Sequence, residues 1–141
     1  MQLQPIIDRI KMNVSLLTVV GGSADIPSAD DKLLNIPAAF VLPGADTAGA
    51  NLLGNGAINQ RVTVQFGVLM AVRNVADAQG LASLTDLDGI RKAVKAQLVG
   101  WEPETGFEPT LYKGGRIIKL DTDAVVWWLD EFTTAYFERV I

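Results

Sequence analysis

A chain of 141 residues with 49% hydrophobic and 20% charged side chains can bury one core and is too apolar to be disordered, so a single domain over 1–141 is expected. Twelve Lys and Arg against 16 Asp and Glu give a net charge of -4, and the basic residues are scattered, which argues against a nucleic-acid binder built on a basic stripe. With Cys 0 and His 0, the composition excludes disulfides, thiolate nucleophiles, imidazole metal sites and the usual general base, and with them most enzyme classes.

Asp8, Arg9 and Lys11 interrupt what would have to be the apolar region of an export signal. No apolar run approaches the roughly 20 residues of a bilayer-spanning helix. A soluble protein that assembles in a reducing cytoplasm, with no membrane partner, is the expectation. Pro5 suits a first helical turn, and Ile6, Ile7, Ile10 and Val14 follow on one helical face, which predicts an amphipathic helix over about 5–17. Residues 21–31 are rich in Gly, Ser, Asp and Pro, turn chemistry without periodicity, and read as a loop.

The segment PAAFVLPG (37–44) is a short apolar run between prolines and predicts a buried strand. GADTAGANLLGNGAIN (44–59) carries four glycines and no alternation, and reads as a long flexible loop of the kind that serves function. From 60 to 74 the alternation of Val62, Val64, Phe66, Val68 and Met70 against Thr63, Gln65, Gly67 and Leu69 predicts a strand, with Gly67 marking a bulge. Leu84, Leu87, Ile90, Val94 and Leu98 then recur at helical spacing, with Ser83 or Thr85 as cap and Gly100 as terminator.

A turn-rich connector, WEPETGFEPT, leads to GGRIIKLDTD, a strand entered through Gly114 and Gly115. In the last segment, AVVWWLDEFTTAYFERVI, Val125, Trp128, Leu129, Phe132 and Tyr136 fit a helical stripe, whereas Val126, Trp128, Phe132, Thr134 and Tyr136 fit a strand face. The density of β-branched and aromatic residues favours the strand. Without βαβ alternation, this order predicts an α+β fold: a mostly antiparallel sheet with two helices packed on one face.

For catalysis only carboxylates remain. Asp121, Asp123, Asp130 and Glu131 form the densest group, yet nothing in their spacing matches a metal loop, and solvated strand ends account for them. The glycine-rich 44–59 segment lacks the Lys-Ser or Lys-Thr pair of a P-loop. No catalytic residue, cofactor or metal site is expected. The adjacent Trp127 and Trp128 must point to opposite faces of a strand and cannot both enter one core, which suggests a partner for one of them.

Four stretches, PAAFVLPGADTA (37–48), QRVTVQFGVLMAVRNVADAQG (60–80), LDGIRKAVKAQLVGWEPE (87–104) and WWLDEFTTAYF (127–137), together resemble the phage tail terminator, or tail completion, family over nearly the whole chain. The resemblance implies a ring, typically hexameric, that sits on the last ring of a tail tube, stops its polymerisation and offers a surface to the head. The implied partners are further copies of the chain, the tail tube protein and a head completion or neck protein, with DNA passing through unbound. Roles transfer to two segments, and the candidate interface residues are Gly44, Asp46, Asn51, Leu52, Leu53 and Asn55 in the loop, with Trp127 and Trp128 in the terminal strand. The alternatives are a neck connector and, from another class, a small metal-dependent hydrolase using the 121–131 carboxylates.

Overall fold

A computed structural model describes residues 1–26, 36–73, 81–120 and 125–140, with 81–85 described by backbone alone. The described elements, in chain order, are α1 (Gln4–Asn13), β1 (Val19–Gly22), a short 3-10 turn (Ser23–Asp25), β2 (Ala38–Ala48), β3 (Ile58–Arg73), α2 (Leu81–Leu98), β4 (Leu111–Leu120) and β5 (Val125–Val140). The strands form one sheet in the order β1-β2-β3-β5-β4, antiparallel except for the β1–β2 pair. The fold is α+β.

Alternation in β3 and β5 sets the architecture. The two strands pair along their whole length, from Ile58 opposite Val140 to Arg73 opposite Val125. Val68, Met70 and Val72 of β3, Val126 and Phe132 of β5, and Ala39 and Val41 of β2 turn to one face. There they meet Ile6, Ile10 and Val14 from the α1 segment and Leu87, Ile90, Val94 and Leu98 of α2. Both helices therefore cover the same face. On the other face, Ala38, Phe40, Ala71, Val125 and Trp127 form a second, smaller apolar cluster, flanked by Val19, Ile26, Ile36, Leu42 and Leu69.

Several boundaries differ from those read in the sequence. The first helix stops at Asn13, four residues early, because Thr18 donates its amide to the Pro37 carbonyl at 2.8 Å and the chain has already turned into β1. β1 itself was hidden in the glycines: Val19 to Gly22 pairs with Ala38 to Val41. The second helix already runs through Ser83 and Thr85, so neither starts it, whereas Gly100 does follow its end with a positive φ of 84°. β4 begins at Leu111, which puts Gly114 and Gly115 inside the strand rather than at its entrance.

The largest difference concerns 44–59. β2 continues to Ala48, paired opposite Val62, and β3 starts at Ile58, so only 49–57 lies outside strands and the segment is a long hairpin. The bulge falls on β2, between Pro43 and Asp46, and not at Gly67. Gly44 fits it for a steric reason: a Cβ there would lie 2.6 Å from the Gln65 carbonyl oxygen.

Candidate assembly surface

The densest chemistry in the described residues is a buried polar cluster. Asp130 is fully buried and accepts hydrogen bonds from Arg91 Nε (2.9 Å) and Nη2 (3.1 Å), Tyr112 Oη (2.9 Å) and Trp128 Nε1 (2.9 Å). The Arg91 guanidinium also lies 4.4 Å from the centre of the Trp128 ring. Gly115 lies against the cluster with no room for a side chain, since a Cβ there would collide with Asp130 Oδ1 and come within 2.8 Å of Trp128 Nε1 and Tyr112 Oη.

These contacts tie α2 to β4 and β5, and they leave the carboxylate saturated. Hydrogen bonding to Asp130 raises the Arg91 pKa above its already high ordinary value, against the opposing effect of burial. Burial first, and the hydrogen bond to Asp130 second, push the Tyr112 phenol above its ordinary value of 10.0. A carboxylate with four donors and no solvent has the geometry of a structural clamp.

Strand alternation separates the carboxylates that the sequence groups together. Glu131, next in the chain, points to the opposite face, where Lys113 and Arg116 approach it at 3.8 and 3.6 Å. Asp121 and Asp123 lie outside the described residues. Among the described residues no three acidic side chains gather as a metal site would need, and no helix is long and apolar enough to cross a membrane.

Asn51, Leu52, Leu53 and Asn55 occupy the far end of the β2–β3 hairpin, and Asp46 lies lower on β2, opposite Val64. Asp46, Asn51, Leu52, Leu53 and Asn55 are all exposed, with Leu52 at 66% and Leu53 at 49%. The tip is nevertheless built. Asn51 Nδ2 donates to the carbonyls of Leu53 (2.7 Å) and Ala57 (3.0 Å), while its Oδ1 accepts from the amides of Asn59 (2.8 Å) and Leu53 (3.3 Å). Asn55 and Gly56 have φ of 61° and 82°, the left-handed pair of a tight hairpin turn, closed by Ala57 donating to Gly54 at 3.3 Å. Gly44 belongs to the bulge below, and its small size serves backbone approach.

The tryptophans do point to opposite faces, but each finds apolar neighbours there. Trp127 is 4% exposed in the second cluster, with Lys119 at 5.5 Å from its ring centre, and Trp128 is half-buried against the main core. Reasoning from one core face leaves a tryptophan without a place; the sheet has two.

One surface was missed in the sequence. β4 is an edge strand and exposes Leu111 (59%), Ile117 (54%), Ile118 (45%) and Leu120 (63%) along an outer edge with no further strand beside it among the described residues. Register shifts interrupt its pairing with β5 between Tyr112 and Gly114 and between Ile117 and Lys119. The signal was present in GGRIIKL, whose apolar residues do not alternate, as they should if one face were solvated.

Comparison with known proteins agrees with this geometry. A chain from a solved structure described as "Virion of native gene transfer agent (GTA) particle" shares the fold with a TM-score of 0.55 at 12% sequence identity, covering 94% of this chain and 92% of that one. No curated protein matches. The profile of the phage tail terminator protein family matches residues 1–140. This chain is a member of the phage tail terminator protein family.

Proposed function

We propose that the protein closes the head-proximal end of a phage tail tube as a ring of identical subunits, six in number, which stops tube polymerisation and presents a surface for joining to the head. The observation that carries this reading is the family match over essentially the whole chain. The shape supports it: a helix-covered core with a built hairpin projecting from it suits a protein that works by contact. In the ring, the exposed Asp46, Asn51, Leu52, Leu53 and Asn55 belong to the contact surface, Gly44 shapes the hairpin that carries them, and Trp127 and Trp128 hold the sheet from within. The partners are further copies of the chain, the tail tube protein and a head completion or neck protein. Assembly takes place in the host cytoplasm. DNA passes through the ring without specific binding, and the net charge of -4 disfavours phosphate adhesion.

The test is electron microscopy of tails assembled without this protein. Tubes longer than normal and lacking heads, restored to normal length when purified protein is added, are the expected result. Tails of normal length that lack only heads would assign the protein to the neck, and normal headed particles would remove it from tail completion.

A further inference from the structure

β4 is joined to the sheet differently from the other strands. β1, β2, β3 and β5 each bury at least one residue, whereas in β4 nine of the ten residues are exposed and Gly114 is half-buried. It is an edge strand, paired on one side among the described residues, and its register with β5 breaks on both sides of the Gly114 to Ile117 stretch. What holds it converges on two adjacent carboxylates, for Gly114 lies opposite Glu131 and Gly115 opposite Asp130. On the helix face Tyr112 Oη donates to Asp130 at 2.9 Å and accepts from Arg91 Nη2 of α2 at 3.1 Å, with Lys95 of α2 4.6 Å from the Tyr112 ring centre. The same ring meets Phe132 edge on, 5.6 Å between centres. On the other face Lys113 and Arg116 reach Glu131. The strand is thus pinned at its middle from both sides, chiefly by polar groups.

From this arrangement we infer that β4 is a latched edge strand: it opens from β5 as one unit while β1, β2, β3, β5 and both helices stay folded, and its grip on Asp130 and Glu131 sets how often it opens. The inference rests on the sheet and not on the terminator reading. An element with little buried apolar surface opens at a lower free energy than the whole molecule, because opening it forfeits little of the core. The two register breaks remove regular pairing above and below the pinned centre, so the ladder alone holds β4 less firmly than an unbroken one would. The two sides of the latch are unequal. Ion pairs at the partly exposed Glu131 contribute little each, whereas the Tyr112 hydrogen bond ends on a buried, charged acceptor and is the stronger side. Gly115 is part of the device, since the room it leaves is where Tyr112 Oη, Trp128 Nε1 and Asp130 meet.

The test is amide hydrogen exchange of the full chain at a series of low denaturant concentrations. The β4 amides that bond β5 are expected to share one opening free energy and one denaturant slope, both smaller than those of the slowest amides between Phe66 and Val72 of β3. Ile10→Val then separates the two kinds of opening. It thins the main core under α1, whose neighbours are β1, β2 and α2, and should speed the slowest β3 amides about fivefold while leaving β4 at its original rate. Tyr112→Phe should speed both sets by the same factor, about fivefold, because its hydrogen bond is lost in local and in global opening alike. Glu131→Gln should do the same by about threefold at most. Exchange of β4 as slow as that of β3, or acceleration of β4 by Ile10→Val, would show one cooperative sheet and overturn the inference. Scattered β4 rates without a denaturant slope would replace unit opening by fraying, and unchanged β4 rates in Tyr112→Phe would remove the latch.

Discussion

The two halves of the long β3–β5 pair have the same backbone pattern and opposite fates. Toward Arg73 and Val125 the sheet is apolar on both faces, covered by α1 and α2 on one and closed into the Trp127 cluster on the other. Toward Ile58 and Val140 the strands carry fewer buried residues, and β2 is exposed from Pro43 to Ala48. Most of the stability therefore comes from the first half, where more apolar surface is buried at roughly 25 cal/mol per Å². The other half buries less, chiefly Val62, Val64 and Ala135, with Phe107 against Tyr136, and its hairpin tip is held by hydrogen bonds and turn geometry. The same strand can be a core element at one end and an outreach at the other.

The sharpest way to break this comparison is to attack the covered half. Asp130→Ala leaves Arg91, Tyr112 and Trp128 without their shared acceptor, and should cost about 3 kcal/mol in denaturant unfolding. A loss below about 0.5 kcal/mol would mean that the clamp between α2 and β5 is not a stabilising one.

Tyr112 tests the same clamp through pH. Its phenol pKa is raised in the folded protein, by burial first and then by Asp130, so its contribution is fully present below the ordinary value of 10.0 and is lost as pH rises through the folded value. Stability should thus fall from about pH 10.0 upward until the folded phenol has also ionised, and Tyr112→Phe should flatten the fall while costing about 1 kcal/mol near neutral pH. The Tyr136 phenol, raised chiefly by burial and also by Glu138, acts in the same sense, so a residual slope is expected in the variant. An unchanged alkaline limb would separate Tyr112 from the clamp.

The smallest global effect belongs to the projecting half. Asn51→Ala removes four hydrogen bonds that are all exposed, and should lower global stability by about 0.5 kcal/mol or less. Amide exchange should speed up at Leu53 and Asn59 and stay unchanged at Phe66 and beyond. Acceleration spreading into the Phe66 to Arg73 half would show that the two halves are one cooperative unit.

Much of the fold was legible because period alone distinguishes its main elements. Val62 to Met70 alternate, Leu87 to Leu98 recur at helical spacing, and the β-branched, aromatic end of the chain is the strand β5. The hairpin was legible too and was passed over: Asn55-Gly56 is a strong tight-turn signal, lost in a stretch whose glycines suggested a loop. β1 was not legible, since its four residues VVGG owe their strand to pairing with Ala38 to Val41 and not to their own pattern. Of the candidate surface, the tip was read as a flexible loop carrying interface candidates, while β4 was read only as a strand because its aliphatic residues predict burial until its place at the sheet edge is known. Asp130 and Glu131 were both read as solvated strand ends, and Asp130 is instead buried, since neighbours on a strand face apart.

The central pairing also bears on how the chain is made. The first residue of β3 pairs with the last of β5, with α2 and β4 lying between them in sequence. During synthesis β3 must wait for β5 before its inner edge is satisfied, and such non-local pairing folds slowly. Until then Phe66, Val68 and Met70 lie open on a strand with one free side, beside a hairpin that can already have formed with β2. The nascent chain is thus exposed to wrong partners until β5 has been made.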